Sequence, residues 1–402
     1  MPTLIDMRRI CLIFLQLFIC YALSEAAPDS VLIKKMEAIA RDVAKAYAPD
    51  KRTEIFTLIS DSSGVFSLET TCKNAAMSFI KSVKAKNLDT PISIRLLPDT
   101  SLSEYVFGLV NVSVGNIRTQ PKNAAEMASQ ALLGWQMDIL KKQGGYYLIR
   151  TPDGYIGWMD NAAVSLKSKA DIDNWNEKKR LIFIEDYGHA YSEANKQSQR
   201  VSDLVLGNIL TYKGEKDGFY AALFPDGREG FIEKELMAEY SNWKKNTVAS
   251  AASIIKIAKR MIGVPYLWGG TSIKGVDCSG FTKTAYFMNG LVIPRDASQQ
   301  VLVGEPVDIL TNDELDITKA LKNLKAGDLL FFAGGAHRTP NARVTHVALY
   351  MGEGQFIHSA GKVRINSMLN NDPNYDDFQS RTVVAARRYL GSIGNEGVKR
   401  VN

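Results

Sequence analysis

Residues 275–290 read GVDCSGFTKTAYFMNG, and this stretch places a cysteine at the beginning of a predicted helix. After the glycines, the residues that follow Cys278 favour a helix, and the pair Asn289-Gly290 closes it. At a helix start, unpaired backbone N–H groups and the helix dipole favour a thiolate over a thiol. The same N–H groups are available to stabilise an oxyanion.

Two histidines follow on neighbouring predicted strands. Residues 344–350 (VTHVALY) and 355–359 (QFIHS) each predict a strand, and the MGEG between them predicts a hairpin turn. In an antiparallel pair closed by this turn, His346 and His358 can lie opposite each other. A cysteine hydrolase needs a thiolate, a base and a polar group that orients the base. We therefore expect Cys278 as nucleophile, His346 as general base and His358 as the orienting residue.

These residues also have other interpretations. A cysteine at a helix start is often inert, and a histidine on a strand is often a hydrogen-bonded structural residue. A tetrahedral zinc site is a further alternative. Its four ligands would be Cys278, His337, His346 and His358, a number that fits tetrahedral coordination. The spacing lacks a close ligand pair such as Cys-x-x-Cys, which disfavours zinc. His337 is interpreted as a loop residue.

The middle of the chain, from about residue 110 to residue 240, repeats with an offset of 73 residues. Residues 145–159 read GYYLIRTPDGYIGWM and align with residues 218–232, which read GFYAALFPDGREGFI. Pro-Asp-Gly between apolar runs predicts a tight hairpin turn in each copy. Short strands with such turns, within about 60 residues, predict a small β-barrel. The copies resemble bacterial SH3-like domains, and His189 falls on a strand of the second copy.

The composition is that of a folded, multidomain protein. The chain has 402 residues, of which 46% are hydrophobic and 23% charged, and its net charge is +6. These values exclude wholesale disorder, a coiled-coil rod and a collagen-like fibre. At roughly 100–200 residues per domain, the length allows two to four domains. No block of Lys and Arg is interleaved with aromatic residues, so we expect no nucleic-acid partner.

Residues 1–26 predict a secretory signal peptide. Arg8 and Arg9 precede an apolar run, and a small-x-small exit predicts cleavage after Ala26. The alternative is a transmembrane anchor, but a run of about 14 residues is shorter than the ~20 that a membrane span needs. We therefore expect an exported protein, periplasmic or extracellular, without stable insertion into a membrane.

Residues 27–105 predict a small α+β unit that carries no chemistry. Apolar residues three or four positions apart predict a helix over residues 32–47, and a second helix is expected over residues 72–83. Two short apolar runs between the helices predict a hairpin. Cys72 lies among alanines and a methionine, which favours a packed core cysteine.

Four motifs follow one another in the last 150 residues: PYLWGG at 265–270, DCSGF at 277–281, THVALY at 345–350 and His358 after a Gly-x-Gly turn. Together they resemble the NlpC/p60 family of cell-wall cysteine peptidases. The resemblance implies a papain-like α+β fold, hydrolysis of peptide bonds in the stem peptides of peptidoglycan, and neither a cofactor nor a metal. It assigns the same catalytic roles to the cysteine and the two histidines.

A narrower resemblance concerns specificity. Residues 294–300, PRDASQQ, are similar to a segment of family members that cleave L-Ala-γ-D-Glu-diamino acid peptides with a free N-terminus. An aspartate of that segment binds the alanine ammonium, which makes Asp296 the expected amine anchor, with a capping or turn role as the alternative. The other cleft residues implied by the resemblance are Tyr266, Asp277, Ser279, Glu126 as a second carboxylate and Tyr155 as a wall.

The sequence thus predicts a multidomain protein. It has a small α+β N-terminal unit (27–105), two SH3-like β-barrels (106–168 and 178–242) and a papain-like α+β NlpC/p60 catalytic domain (248–402). We expect a cysteine endopeptidase that hydrolyses the γ-D-Glu–diamino acid bond of stem peptides. The alternative is a cell-wall-binding protein with an inactive or acyl-transferring catalytic domain, and the intact Cys/His/His set favours the peptidase.

Overall fold

The computed structural model describes residues 30–61, 65–334, 342–395 and 397–401. The predicted signal peptide and His337 lie outside the described residues. Within the described part of the chain, no helix has the length and apolar character needed to cross a membrane. The chain divides into two compact units, one ending at Leu97 and the other beginning at Pro98.

The N-terminal unit is a three-stranded sheet with two helices. Its elements are α1 (Ser30–Tyr47), β1 (Phe56–Ser60), β2 (Phe66–Thr70), α2 (Lys73–Ala85) and β3 (Ile92–Leu96). The predicted helices and hairpin are present, and β3 adds a strand that pairs parallel to β2. Met36, Phe66 and Phe79 form its core, and Cys72 is a partly buried residue packed against them.

The next part of the chain forms two seven-stranded sheets that share the same topology. The first contains β4 (Phe107–Val110), β5 (Val114–Arg118), β6 (Met127–Leu132), β7 (Gln136–Gln143), β8 (Tyr146–Arg150), β9 (Ile156–Asp160) and β10 (Val164–Lys167). The helix α3 (Lys169–Glu177) leads to the second, which contains β11 (Arg180–Phe183), β12 (Tyr187–Tyr191), β13 (Arg200–Val205), β14 (Ile209–Lys216), β15 (Phe219–Leu223), β16 (Glu229–Glu233) and β17 (Met237–Glu239).

The two sheets confirm the sequence repeat. Their strand orders, β10-β4-β7-β8-β9-β5-β6 and β17-β11-β14-β15-β16-β12-β13, are equivalent. Each strand of the second sheet begins 73 residues after its counterpart. The glycines of the two Pro-Asp-Gly turns, Gly154 and Gly227, have φ of +86° and +91°, which side chains disfavour. The turns are therefore encoded locally in both copies.

The remaining residues form a layered α+β domain around a six-stranded sheet. Its helices are α4 (Tyr240–Asn246), α5 (Ala251–Arg260), α6 (Cys278–Phe287), α7 (Ala297–Gln300), α8 (Ile317–Asn323) and α9 (Asp377–Thr382). Its strands are β18 (Thr271–Ser272), β19 (Gly275–Val276), β20 (Leu291–Val292), β21 (Glu305–Pro306), β22 (Leu310–Thr311), β23 (Glu314–Leu315), β24 (Leu329–Ala333), β25 (Val344–Gly352), β26 (Gln355–Ala360), β27 (Lys362–Ser367), β28 (Val383–Arg388) and β29 (Lys399–Arg400).

The large sheet has the order β21-β28-β24-β25-β26-β27, and α6 packs against β25 and β26. Strand β24, with the sequence LLFFA, is buried along its whole length, as expected for a strand covered on both faces. The helix α6 begins with Cys278, and it packs against the two strands that carry the histidines.

The first barrel is joined to the catalytic domain by buried hydrogen bonds. The backbone N–H of Thr271 donates to Gln130 Oε1 over 3.0 Å, and the Thr271 hydroxyl donates to the Gln130 carbonyl over 3.1 Å. The N–H of Asp99 donates to the Leu140 carbonyl of β7, in agreement with the start of the second compact unit at Pro98.

Candidate active site

Cys278 is the first residue of α6 and is almost completely buried, with 7% of its surface exposed. Asp277 caps the helix by accepting a hydrogen bond from the N–H of Gly280 over 2.7 Å. A Cβ atom at Gly280 would lie 1.9 Å from the carbonyl oxygen of Gly270, so only glycine permits this close approach. The Cys278 Sγ lies 4.0 Å from the carbonyl oxygen of Thr345, beside the first histidine.

The two histidines form a hydrogen-bonded pair. His346 Nε2 lies 2.8 Å from His358 Nδ1, and His358 has no exposed surface. Leu349 pairs with Ile357, so the register places the histidines diagonally across β25 and β26 and not directly opposite each other as the sequence suggests. Diagonal neighbours remain within reach of long side chains, and the rings bridge the offset.

Asn366 extends this pair and fixes its tautomers. Its Nδ2 donates to the carbonyl of Asn374 over 3.2 Å, so its Oδ1, 3.0 Å from His358 Nε2, is an acceptor. His358 therefore carries its proton on Nε2 and accepts on Nδ1, which requires His346 to donate from Nε2. The Nδ1 of His346 is then left unprotonated, as a general base requires.

Burial controls the charges of these groups. Burial, with the adjacent Asp277 carboxylate, raises the pKa of the Cys278 thiol to about 12. Burial likewise lowers the pKa of His346 to about 3 and that of His358 to about 4. Both pKa shifts favour a thiol and a neutral imidazole in the site without substrate, whereas the helix start favours a thiolate. Desolvation and the neighbouring Asp277 charge thus act against the helix dipole at Cys278.

Arg295 organises the residues around the helix start. This guanidinium is fully buried and binds Asp277 through two hydrogen bonds of 3.1 and 2.6 Å. It also donates to the hydroxyl of Ser279 over 2.9 Å and to that of Ser129 over 2.8 Å. Asp277 and Ser279, which the sequence assigns to the cleft, both belong to this buried network. Ser129 belongs to β6, so the network also ties the first barrel to the site.

Asp296 is the N-cap residue of the short helix α7 and retains 26% side-chain exposure. Its Oδ1 lies 3.8 Å from the guanidinium of Arg295, and its own N–H donates to Gln299 Oε1. Tyr155 is buried, with its phenol in the electrostatic environment of Arg295. The structure thus gives Asp296 the capping role expected as its alternative and leaves part of its carboxylate accessible beside the site.

The loop before α6 contains Tyr266 and also Trp268, which contacts Glu126 of the first barrel. Trp268, which is 60% exposed, donates from Nε1 to Glu126 Oε1 over 2.7 Å, a bond between the catalytic domain and the first barrel. Burial and the nearby Cys278 and Asp277 raise the pKa of Tyr266 to about 12. The Tyr266 phenol therefore keeps its proton and is available as a hydrogen-bond donor near the sulfur.

The histidine pair does not have the geometry of a zinc site. Two nitrogens on one tetrahedral zinc, with Zn–N bonds near 2.0–2.1 Å, lie about 3.3 Å apart. The ring nitrogens of His346 and His358 are 2.8 Å apart and face each other as donor and acceptor. Throughout the described residues, no group of three or more His, Cys, Asp or Glu side chains is placed to hold a metal ion.

Comparison with known proteins agrees with this architecture. Residues 263–384 match the NlpC/P60 family model, and residues 117–164 match the bacterial dipeptidyl-peptidase Sh3 domain. A gamma-D-glutamyl-L-lysine dipeptidyl-peptidase of Bacillus cereus is 30% identical over 277 residues, which cover 67% of this chain and 77% of the relative. The chain belongs to the NlpC/P60 family. It is therefore a cysteine peptidase with an SH3-like region, as the sequence predicts.

Other NlpC/P60 proteins extend the match over most of the chain. Dipeptidyl-peptidase 6 of Lysinibacillus sphaericus is 27% identical over 295 residues, which cover 71% of this chain and 98% of the relative. The crystal structure of an NlpC/P60 family protein from Bacillus cereus superposes with a TM-score of 0.58 and 25% identity, covering 71% of this chain and 99% of that one. An NlpC/P60 endopeptidase from Photobacterium damselae, at 14% identity and a TM-score of 0.53, shares the fold.

Asn366 offers a test of the tautomer argument in this NlpC/P60 peptidase. Asn366→Leu removes the acceptor for His358 Nε2. We expect kcat to fall about 10- to 100-fold with little change in KM, because one orienting hydrogen bond is lost. Asn366→Asp keeps an acceptor and adds a negative charge that favours a protonated His358. Its rate should exceed that of the leucine variant. As the pH is lowered, its rate should begin to fall at a higher pH than the rate of the wild type does.

Asn323→Leu, at the end of α8, is the control. Equal pH profiles for all variants would contradict the positioning role.

The low pKa of His358 predicts that acid destabilises the protein. The folded value of about 4 lies below the ordinary 6.5, so the unfolded state binds more protons between these pH values. The contribution of His358 is complete above pH 6.5 and is lost as the pH falls towards 4, in total about 3 kcal/mol. Urea unfolding at pH 7, 6 and 5 should show this decline, and His358→Gln should make it shallower. An unchanged slope in that variant would show that His358 is not buried in its neutral form.

Proposed function

We propose that this peptidase is exported and hydrolyses the γ-D-Glu–diamino acid bond of peptidoglycan stem peptides that carry a free N-terminal L-alanine. The observation that carries the proposal is the hydrogen-bonded series from His346 through His358 to Asn366, next to the buried Cys278. The names of the Bacillus cereus and Lysinibacillus sphaericus relatives, both dipeptidyl-peptidases, support the substrate class.

The proposed reaction moves one proton between sulfur and imidazole. As Cys278 Sγ attacks the γ-carbonyl carbon of D-glutamate, its proton passes to Nδ1 of His346, because the resting pair is neutral. The Tyr266 hydroxyl and backbone N–H groups at the start of α6 stabilise the oxyanion. The C–N bond breaks, the diamino acid leaves with the proton from His346, and a thioester remains. Water, deprotonated by His346, hydrolyses the thioester and restores the thiol.

The proposed specificity depends on two carboxylates at the amine end of the substrate. Asp296 lies beside Arg295, and Glu126 is held by Trp268 on the first barrel. An ammonium that enters this enclosed space is stabilised by a carboxylate partner and disfavoured without one. Tyr155 from the same barrel would form the wall. In this assignment the first barrel, residues 106–168, closes the site, while residues 27–105 and 178–242 take no part in catalysis.

The proposed location follows from the signal peptide predicted over residues 1–26 and from the substrate. The peptidoglycan wall lies outside the cytoplasmic membrane, so export would bring the enzyme to this source of its substrate. Fractionation of the producing cells, with detection of the chain lacking residues 1–26 outside the cytoplasm, tests this part. Detection of the uncleaved chain in the cytoplasm alone would contradict it.

The reaction is tested with two tripeptides, L-Ala-γ-D-Glu-meso-diaminopimelate and L-Ala-γ-D-Glu-L-Lys. Mass spectrometry should detect L-Ala-D-Glu and the free diamino acid from at least one of them, and the ratio of rates gives the preference at the third position. Binding of the peptides without any product would favour the wall-binding alternative. Formation of a new amide when a second amine is added, without hydrolysis, would favour acyl transfer.

The amine anchor predicts a strong dependence on the substrate N-terminus. N-acetylation of the alanine should lower kcat/KM about 100-fold, because the carboxylates then lose their charged partner. Asp296→Asn should lower the rate on the free peptide and reduce the discrimination between the two substrates. Asp308→Asn, which removes an exposed carboxylate paired with Lys319, is the matched control. Equal cleavage of the free and blocked peptides by the wild type would exclude an amine anchor at Asp296.

A further inference from the structure

A second cavity, of about 690 Å³, lies where the two barrels, α3 and the catalytic domain meet. Its walls come from the start of β7, the turn at residues 150–154, the helices α3, α4 and α6, and the strands β20 and β29. None of the candidate active-site residues lines it. It is thus a separate concave space lined by several parts of the chain, and ligand sites commonly form in such clefts between domains.

The lining of this cavity is strongly basic. Its ionisable residues are Arg150, Arg180, Lys244, Lys283, Lys399, Arg400, Asp138, Asp153 and Tyr240. The two carboxylates each have a cation beside them, Asp138 near Arg150 and Asp153 at 2.8 Å from Lys283. No ion pair within the described part of the chain joins any of the other four cations to a carboxylate. A concave surface with four such cations attracts anions.

Buried donors reinforce this preference. The Lys283 side chain is 4% exposed, and its Nζ has no close contact with an acceptor in the described chain besides the ion pair with Asp153. An ammonium has three N–H donors, so two of them remain without an acceptor. Trp135, which is 8% exposed and contacts Lys283 through its ring, has a buried Nε1 that also finds no acceptor among the described residues. An anionic oxygen in the cavity would satisfy such donors.

The wall also contains four aromatic residues. Trp135, Trp175, Tyr240 and Phe287 line the cavity, and the guanidinium of Arg180 lies 4.5 Å from the centre of the Tyr240 ring. Aromatic faces bury apolar surface, while a stacked guanidinium keeps its N–H edge for an anionic partner.

We propose that this cavity is a second binding site, distinct from the active site, for an oligoanion that carries two or more carboxylate or phosphate groups. The site does not depend on the proposed substrate. Its ligand contacts both barrels, α3 and the catalytic domain at once, so binding stabilises their arrangement. It also reaches Lys283, which lies on the same helix as Cys278.

Isothermal titration of the full chain with citrate and with inorganic tripolyphosphate, at pH 7 and 0.15 M NaCl, tests the proposal. We expect one site per chain with a Kd below about 1 mM for at least one anion, and a rise in Tm on binding. The double variant Arg180→Gln/Lys399→Gln should weaken binding at least about tenfold. Lys283 is left in place, because its replacement would leave Asp153 buried and unpaired.

The double variant Lys213→Gln/Lys234→Gln is the matched control, since it removes two cations of the second barrel that are paired with exposed glutamates. It should bind the anions as the wild type does. Binding of citrate alone would indicate a carboxylate ligand, and binding of tripolyphosphate alone a phosphate ligand. The proposal is overturned if neither anion binds, if both double variants bind equally, or if the anion competes with substrate at the active site.

Discussion

Replacement of Cys278 by alanine is expected to lower kcat at least about 10⁴-fold, because no other group can form the covalent intermediate. The other cysteine of the described residues, Cys72, packs in the core of the N-terminal unit. The rate is measured as release of the diamino acid from the tripeptide that the wild type cleaves. The loss should appear in kcat, with the affinity for the peptide retained.

Cys72→Ala is the matched control for this variant. It removes a thiol that is partly buried and should leave kcat unchanged, at the cost of a small part of the stability of the N-terminal unit. Circular dichroism and Tm show whether Cys278→Ala remains folded. If a folded Cys278→Ala protein kept more than a small fraction of the wild-type rate, a nucleophile other than Cys278 would have to be sought.

The parts of the site that the sequence predicts are those with a local pattern. The helix after Cys278 and the hairpin that carries His346 and His358 each depend on turns and apolar spacing within about fifteen residues. The barrels are predicted for the same reason, because a Pro-Asp-Gly turn occurs in both copies. The structure confirms these elements and packs α6, which begins with Cys278, on β25, which carries His346.

The remaining parts depend on contacts between distant segments. Asn366 acts on His346 only through His358, and nothing within the sequence of β27 marks it as a member of the site. Arg295 lies next to the predicted Asp296, but its partners come from α6 and from β6 of the first barrel. Burial raises the pKa of the Cys278 thiol, and a helix-dipole argument does not include this effect. The role of Asn366, the partners of Arg295 and the pKa of Cys278 therefore all depend on tertiary packing.

Arg295→Met should be among the most destabilising single substitutions in this protein. The methionine leaves the Asp277 carboxylate, which is 7% exposed, without its main counter-charge beside the sulfur. Removal of one partner of a buried ion pair costs about 3–5 kcal/mol. Urea unfolding should show this loss, and the unpaired carboxylate should also raise the pKa of the Cys278 thiol further and slow catalysis.

The double variant Arg295→Met/Asp277→Asn separates the charge effect from lost packing. If the uncompensated carboxylate is the main cost, the neutral asparagine should recover a large part of the stability, since it still caps α6 for the N–H of Gly280. Arg260→Met is the control, because Arg260 pairs with Glu185 and Asp186 at a more exposed position, where such pairs contribute about 0–1 kcal/mol. Equal losses for Arg295→Met and Arg260→Met, or no recovery in the double variant, would mean that the buried pair does not hold the helix start in place.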